Sequence, residues 1–377
     1  MRFAFVQPCV CGVMGNRLAF GLERQLAKQG HHVDLYTFET STLVLPEVQR
    51  MVYPAKLHCL HLNSRKRLGF WGYLNYNLRK SYDQILANEI SKRHRESAYD
   101  LILVFSDEGR WLGDMIRKEC PTPRPLTGVV LMELIEYNWF FRNEKSFPTL
   151  RWLAWPAVQA LHWAHQRALR GYNLHYSISP WSDWMATYFY GIETRGQLIA
   201  VDDSFFEFDY LTKDSYIALP TAALSMRQAR IAQEVAARGV KLVSFGPRAV
   251  EGIPHLGFLS EADMQRVIAS ASALLFLFEY EALGLMPLEA LALGTPVITQ
   301  RKQGPGSILD GLECVSFGES SGELAGLCHA AILGFEQKTN PPPEACRRSV
   351  LQYTTASMAA TFLQSLEIVS DRKVGGL

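Results

Sequence analysis

Apolar residues in this chain fall into short runs, separated by longer segments in which they recur at helical spacing. The short runs are typical of buried parallel strands, and the helical spacing predicts amphipathic helices between them. In the first half the predicted elements are strands at 2–6, 33–38, 99–105, 127–134 and 175–179, and helices at 18–29, 151–170 and 182–190. This βαβ order predicts an α/β domain with a parallel sheet.

The second half repeats this organisation. Its predicted elements are strands at 216–219, 240–245, 273–278 and 297–298, and helices at 228–238, 267–273 and 353–369. With 377 residues, the chain is long enough for two such domains. No GxGxxG follows the first predicted strand, which disfavours a hydride-transferring Rossmann enzyme.

The stretch 281–299 follows a predicted strand and predicts a loop, a short helix and another strand. Gly284 allows a backbone conformation that other residues avoid, and Gly294 ends the helix after about two turns. Glu281 and Glu289 therefore bracket the start of a helix beyond the C-terminal end of a buried strand, where open α/β sheets bind ligands. Each glutamate alone also fits a solvated carboxylate favoured by the helix dipole.

The start of this helix offers a second chemical feature. The first amides of a helix have no acceptor within it, and the helix dipole favours negative charge there. We therefore expect the amides of Gly284, Leu285 and Met286 to face the same crevice and to hold an anion such as a diphosphate.

The glutamates and the small residues behind them resemble the signature of a known family. Glu281 and Glu289 are separated by seven residues, and Gly294, Pro296 and Val297 form a Gly-x-Pro-Val turn after them. This pattern resembles the family 4 retaining glycosyltransferases of the GT-B fold. The resemblance implies an α/β protein of two Rossmann-like, doubly wound domains that face a central cleft.

The resemblance also implies how the domains divide the work. Residues 1–205 would form the acceptor-binding domain and residues 206–352 the nucleotide-sugar-binding domain, with a helix at 353–370 crossing back onto the first. The implied reaction is retaining transfer of a hexose from a nucleotide sugar to a glycan or lipid-linked acceptor. It would require no cofactor and no metal, and the sequence contains no Asp-x-Asp.

By the same resemblance, two residues would have catalytic roles. Glu281 would hold and orient the donor sugar, and Arg227, with the backbone at Gly284 and Leu285, would stabilise the departing diphosphate. Glu289 would hold the ribose hydroxyls. The acceptor hydroxyl would attack the face from which the diphosphate leaves and pass its proton to a phosphate oxygen.

The chain departs from the family pattern at the phosphate clamp. The usual Gly-Arg is absent, Thr221 stands near the position of that arginine, and Arg227 lies within one residue of the usual lysine. Either Arg227 is the main clamp, or Arg17, Arg248 or Arg301 takes part, or the protein is not catalytic. Arg227 also fits a plain surface residue at a helix start.

The resemblance also implies further candidate donor contacts in loops at the strand ends. They are Thr221, Gly246, the apolar pair Phe258 and Leu259 beside the nucleotide base, Gly15 in the first loop and Glu133 near the end of a strand. From the residues alone, Gly15 fits an ordinary turn glycine and Glu133 a solvated strand-end residue.

Charge and composition suggest the kind of partner. Residues 1–205 hold 24 Lys and Arg against 19 Asp and Glu, whereas residues 206–377 hold 14 against 18. The segment 64–80 mixes basic and aromatic residues, which suits peripheral contact with a membrane but also a helix that packs its rings inward. No nucleic-acid-binding module is visible, so we expect no nucleic acid partner.

The seven cysteines are odd in number and show no CxxC spacing, which favours a reducing compartment. We expect a cytoplasmic protein, with the inner face of the cytoplasmic membrane as a candidate position and polysaccharide biosynthesis as a candidate role. Two alternatives stay open. One is a catalytically weak or inactive GT-B protein that binds nucleotide or glycan, and the other is a GT-B nucleotide-sugar epimerase, which the Glu281 and Glu289 spacing disfavours.

Overall fold

The computed structural model describes residues 1–7, 9–10, 17–37, 39–40, 55–60, 80–105, 109–132, 150–337 and 339–374. The chain divides into two compact units. The first unit contains Met1–Ile178, Ser182–Ile199 and Met358–Leu377, and the second contains Ser179–Trp181 and Ala200–Ser357. The main division lies between Ile199 and Ala200, whereas the sequence analysis placed it at 205/206.

Helices and sheets alternate along most of the chain. In chain order the described helices are α1 (Arg17–Lys28), α2 (Lys80–Glu96), α3 (Leu112–Glu119), α4 (Leu150–Leu169), α5 (Pro180–Met185), α6 (Asp203–Glu207), α7 (Met226–Ala237), α8 (Glu261–Ser270), α9 (Leu285–Ala292), α10 (Gln303–Ile308), α11 (Ser321–Glu336), α12 (Pro343–Ser349) and α13 (Thr355–Val374). A π-helical turn follows α5 at Ala186–Tyr190, and a 3₁₀ turn precedes α13 at Leu351–Tyr353.

The first unit is built on a six-stranded parallel sheet of order β5-β3-β1-β6-β7-β8. Its described strands are β1 (Arg2–Val6), β2 (Cys9–Val10), β3 (His32–Thr37), β4 (Glu39–Thr40), β5 (Lys56–Cys59), β6 (Leu101–Val104), β7 (Leu126–Leu131) and β8 (Leu174–Ser177). The short strands β2 and β4 pair with each other. Because the chain starts in the middle of the large sheet and adds strands first to one side and then to the other, this unit is doubly wound.

Successive residues of β1 point to opposite faces of the sheet, and both faces are covered. Ala4 joins a buried cluster with Leu86 and Ile90 of α2 on one face. On the other face the ring of Phe3 packs against Phe362 of α13, with ring centroids 5.8 Å apart. A parallel sheet covered on both sides requires the nearly continuous apolar strands that the sequence shows.

The second unit contains a five-stranded parallel sheet of order β10-β9-β11-β12-β13. Its strands are β9 (Asp214–Pro220), β10 (Leu242–Phe245), β11 (Ala271–Phe276), β12 (Val297–Thr299) and β13 (Val315–Phe317). The strand order reverses between β9 and β11, so this is the topological switch point of the sheet. Every residue of β11 is buried.

Serine side chains begin three helices of the second unit. The hydroxyls of Ser225 and Ser260 each accept a hydrogen bond from the amide three residues later, at the starts of α7 and α8. Ser320 and Glu323 form a complete capping box at the start of α11. These caps satisfy amides that have no acceptor within the helix and so fix where each helix begins.

Two predicted elements differ most from the structure. The predicted helix at 267–273 is wrong at both ends, because α8 begins at Glu261 and stops at Ser270, and the next residue already pairs with Asp214 of β9. The predicted helix at 182–190 is divided, because α5 gives way to the π-helical turn Ala186–Tyr190. The early end of α8 arises from strand pairing, which local propensity does not contain.

Several predicted features lie outside the described residues. They include Gly15, Glu133 and all of the basic aromatic segment 64–80 except Lys80, at which α2 begins. Among the helices that the structure describes, none combines the length and the hydropathy that spanning a bilayer requires.

Candidate active site

The carboxyl ends of β9 and β11 lie side by side at the switch point of the second sheet. The chain that leaves β11 forms a loop and enters α9, and the chain that leaves β9 passes through a second loop into α7. In open α/β sheets, ligands bind outside the carboxyl ends of the strands at this point. The two loops are therefore the first place to look for binding groups.

Gly284 makes the turn from the loop after β11, which we call the switch loop (277–284), into α9. Its φ of 75° and ψ of 63° are left-handed. A Cβ atom at this position would lie 2.8 Å from Cγ of Pro305. Glycine is required here by the backbone conformation and by the close contact, as the sequence predicted.

The Glu281 carboxylate folds back onto the switch loop. Its Oε1 accepts hydrogen bonds from the amide of Leu283 at 3.4 Å and from the amide of Gly284 at 3.2 Å. The Gly284 amide, which we expected to be free for an anion, is thus already engaged. Of the three expected amides, those of Leu285 and Met286 remain as first-turn donors without an acceptor inside α9.

The first two residues of α10, Gln303 and Gly304, hold the switch loop from the other side. The side-chain amide of Gln303 accepts from the amide of Glu281 at 2.9 Å and donates to the carbonyl of Glu279 at 3.1 Å. The Gly304 amide donates to the carbonyl of Glu281 at 3.1 Å. A Cβ on Gly304 would lie 2.0 Å from the carbonyl oxygen of Ala282, so the two segments are in direct backbone contact.

Glu289 lies within α9 and is only 3% exposed. A buried carboxylate must be paired or hydrogen-bonded, because its burial without a partner costs several kcal/mol or more. The interpretation of Glu289 as a solvated helix-start residue therefore does not hold. Glu289 is instead a buried carboxylate in α9, the helix that begins at the switch point.

Thr221 and Gly246 meet at the ends of β9 and β10. The Thr221 hydroxyl donates to the carbonyl of Phe245 at 3.0 Å and accepts from the amide of Arg248 at 3.2 Å. Gly246 approaches so closely that a Cβ atom would lie 2.8 Å from Thr221 Oγ1. The side chain of Thr221 is 1% exposed and already hydrogen-bonded, so its present role is to hold these two strand ends together.

Two cations lie near the switch loop. Arg227 is exposed at the second position of α7, just after the Ser225 cap, whose hydroxyl donates to Glu279 at 2.8 Å. The Lys302 ammonium lies 5.0 Å from the ring centroid of Phe278. Within the described residues neither cation forms an ion pair. Burial lowers the pKa of Lys302 and the charge of Arg227 lowers it further, although Glu279 opposes the shift.

The alternative cations that the sequence suggested have other contacts. Arg301 pairs with Asp310 and lies over the ring of Phe317 at 4.2 Å. The Arg248 guanidinium donates to the carbonyl of Leu224 at 3.2 Å. Arg17 is buried at the start of α1 in the first unit. Lys302, which the sequence did not single out, is therefore the better second cation for this site.

The loop that carries the expected base contacts reaches the same strand end. The amide of Gly246 donates to the carbonyl of Gly257 at 2.8 Å, which ties this loop to the end of β10. The next residue, Phe258, is 78% exposed, and Leu259 is half-buried. An exposed ring fixed beside a strand end is a suitable platform for a planar ligand.

Comparison with known proteins agrees with this architecture. The sequence model of the family described as "Glycosyl transferases group 1" matches residues 250–320, which include the switch loop and both glutamates. No curated protein has a significantly similar sequence.

Several solved structures share the fold over nearly their whole length. Sucrose-phosphate synthase from Thermosynechococcus elongatus has a TM-score of 0.69 at 15% identity, covering 98% of this chain and 99% of that chain. HepE from Anabaena, solved with UDP-glucose, has a TM-score of 0.67 at 13% identity, covering 98% of this chain and 100% of that chain. The lipopolysaccharide outer core galactosyltransferase WaaB has a TM-score of 0.64 at 13% identity, covering 97% and 99%. The chain therefore has the GT-B fold, and its residues 250–320 match the glycosyl transferases group 1 model.

Proposed function

We propose that the protein is a retaining glycosyltransferase that moves a hexose from a nucleotide sugar to a hydroxyl group of a glycan or lipid-linked acceptor. The observation that supports this most strongly is the switch loop, in which Glu281 and the start of α9 lie at the switch point of a doubly wound sheet. The match to the glycosyl transferases group 1 model covers this loop.

The donor is assigned to the second unit. Glu281 binds hydroxyls of the donor sugar, and the buried Glu289 binds the ribose hydroxyls, for which a carboxylate is a strong hydrogen-bond acceptor. Phe258 and Leu259 flank the base, beside the backbone of Gly246. HepE, which shares the fold, was solved with UDP and glucose and with UDP-glucose, so UDP is the first nucleotide to test.

The chemistry requires stabilisation of a leaving diphosphate. The acceptor oxygen forms a bond to the anomeric carbon while the bond from that carbon to the diphosphate oxygen breaks, on the same face of the sugar. The acceptor proton passes to a phosphate oxygen. Arg227, Lys302 and the first amides of α9 stabilise the negative charge that develops on the leaving group, and no metal is needed.

The acceptor is assigned to the first unit, whose sequence carries the basic excess. We infer a cytoplasmic protein with peripheral contact to an anionic membrane surface through residues 64–80. The mixture of Arg, Lys, Trp and Tyr in that segment supports this. A lipid-linked glycan is the acceptor that such a position would favour.

Sugar transfer by two single variants tests the proposal. Glu281→Gln removes the charged acceptor for the sugar hydroxyls, and Arg227→Met removes a cation at the diphosphate. Each is expected to lower kcat/KM by roughly 100-fold, the size of effect seen when one charge-stabilising group is lost. The measurement is release of nucleotide from a panel of nucleotide sugars, beginning with UDP-glucose, in the presence of acceptor.

Matched controls separate these effects from changes in overall charge. Glu251→Gln removes an exposed carboxylate of the same unit, and Arg230→Met removes an exposed cation one turn further along α7. Both controls are expected to keep wild-type rates. Unchanged rates in Glu281→Gln and Arg227→Met together would overturn the assignment.

One observation favours a second candidate, a GT-B protein that binds nucleotide without turnover. Thr221 stands near the position of the family's arginine, and its hydroxyl is taken up by Phe245 and Arg248. Binding of UDP without nucleotide release from any donor and acceptor pair would support this candidate over the enzyme.

A further inference from the structure

The side chain of Gln303 connects two backbone groups of the switch loop. Its Nε2 donates to the carbonyl oxygen of Glu279 at 3.1 Å, and its Oε1 accepts from the amide of Glu281 at 2.9 Å. Both ends of one side-chain amide are therefore used on residues two positions apart. Beyond the end of β11 the switch loop has no neighbouring strand to bond to, and Gln303 satisfies these two backbone groups instead.

Gln303 also has an unfavourable backbone conformation. Its φ of 51° lies in the left-handed region, which side chains other than glycine rarely adopt. Among the described residues the only other non-glycine residue with a positive φ is Cys314, at 66°. Backbone strain of this kind persists where surrounding contacts hold it, and it is concentrated at functional sites.

The neighbours of Gln303 make this arrangement rigid. The next amide, that of Gly304, donates to the carbonyl of Glu281 at 3.1 Å, and Pro305 packs against Gly284. Glu281 therefore has both its amide and its carbonyl held by one short segment, while its carboxylate bonds to amides of its own loop. Little freedom is left for the backbone of this glutamate.

We propose that Gln303 is the positioning residue for Glu281, and that its side-chain amide sets the orientation of the Glu281 carboxylate toward the bound sugar. Gln303 itself does not touch the reacting atoms. The catalytic consequence rests on the proposed function, because it requires that Glu281 contacts the donor. Displacement of such a group by about 1 Å can cost on the order of 100-fold in rate.

Gln303→Gly tests the proposal, with Cys314→Gly as its control. Both changes relieve the backbone strain of a residue with positive φ, and both add the conformational entropy of a glycine to the unfolded chain. Only Gln303→Gly removes the two hydrogen bonds to the switch loop. Cys314 precedes β13, and its thiol lies near that of Cys346. An effect of backbone strain alone on thermal stability would appear in both variants.

The kinetic expectation is a split between chemistry and nucleotide binding. Gln303→Gly should lower kcat for sugar transfer by roughly 10- to 100-fold, while its dissociation constant for UDP stays within about twofold of wild type, because the groups proposed to bind nucleotide are unchanged. Gln303→Glu keeps the hydrogen-bond acceptor for the Glu281 amide but loses the donor to the Glu279 carbonyl. Its kcat should lie between those of the wild type and Gln303→Gly. Cys314→Gly should match wild type. Wild-type kcat in Gln303→Gly would overturn the proposal.

Amide hydrogen exchange tests the positioning without any need for activity. In Gln303→Gly the backbone amides of Glu281, Leu283 and Gly284 should exchange roughly tenfold faster than in wild type, and in Cys314→Gly they should not. Equal exchange in the two variants would overturn the role of Gln303. Absence of sugar transfer by the wild-type protein would instead count against the proposed function, and the exchange result would still decide the role of Gln303.

Discussion

Lys302 combines partial burial with a like charge nearby. Its ammonium lies over the ring of Phe278 in the switch loop, and burial and Arg227 both lower its pKa. In the described part of the chain neither Lys302 nor Arg227 has an ion-paired carboxylate. Two cations in this position repel each other, so an anion that binds between them gains from both charges.

Replacement of this lysine should weaken nucleotide binding. Lys302→Met is expected to raise the dissociation constant of UDP by about tenfold, the typical loss of one charge-assisted hydrogen bond. Isothermal titration calorimetry measures it. In the wild-type protein, UDP affinity should fall as pH rises through the pKa of Lys302, which lies below the usual value of about 10.4, because the ammonium form is the one that binds.

Lys302→Arg is the control, since it keeps the charge at nearly the same place. It should retain most of the wild-type affinity for UDP. Because arginine stays charged at high pH, the fall in UDP affinity should begin at a higher pH than in the wild type. If Lys302→Met bound UDP as tightly as the wild type at pH 7, the lysine would have no part in diphosphate binding.

At the scale of elements, the parts of the site that depend on local chemistry were predictable. The left-handed turn at Gly284 and the end of α9 at Gly294 follow from glycine's freedom at those positions, and the structure confirms both. The contacts of Gln303 and Lys302 were not predictable, because they cross from the end of β12 to the loop after β11. Such contacts depend on which strands are neighbours, and that order is set by the whole sheet.

The contact between Gly304 of α10 and the switch loop leaves no room for a side chain at position 304. Gly304→Ala would put a Cβ atom 2.0 Å from the backbone carbonyl oxygen of Ala282, so either α10 or the switch loop must move. We expect a destabilisation of about 1–3 kcal/mol, as in other overpacked sites, together with weaker sugar transfer. The measurement is the urea concentration at the midpoint of unfolding.

Gly326→Ala provides the matching control for this change. Gly326 lies in α11, and a Cβ there would meet no atom within 4 Å. An alanine in a helix is favourable, so this variant should be as stable as the wild type or slightly more stable. Equal unfolding midpoints for Gly304→Ala and Gly326→Ala would contradict tight packing between Gly304 and the switch loop.

At the scale of a whole unit, one buried carboxylate joins three strands of the first sheet and a tyrosine just before a fourth. Asp34 of β3 accepts from Arg2 of β1 at 2.8 Å and from the hydroxyl of Tyr99, just before β6, at 2.7 Å, and lies 3.4 Å from His58 of β5. Burial alone would raise the pKa of Asp34. The hydrogen bonds from His58, Tyr99 and Arg2, and the charge of Arg2, outweigh burial and hold it well below its usual value.

This carboxylate should contribute to stability against acid. Because the folded pKa of Asp34 is lowered, its stabilisation is fully present above the unfolded value of about 3.9 and is lost progressively as pH falls from that value through the folded pKa. Asp34→Asn is expected to cost roughly 2–3 kcal/mol at pH 7 and about 1 kcal/mol less at pH 3, where Asp34 is mostly protonated in the unfolded chain but still ionised in the folded protein. Urea unfolding of the wild type and of Asp34→Asn at pH 7 and pH 3 measures the loss of stability. If the two proteins differed by the same free energy of unfolding at both pH values, the role of the Asp34 charge would be contradicted.

Helix α13 has a consequence for how the protein is made. Phe362 packs against Phe3 and Phe5 of β1, and Ser365 lies 2.7 Å from the hydroxyl of Tyr176 on β8. The core of the first unit thus contains residues that a ribosome adds only after it has finished the second unit. While the second unit is being synthesised, Phe3 and Phe5 of β1 still lack their contacts with Phe362. The unit that is begun first is therefore completed last, and apolar surface left uncovered during that interval favours aggregation.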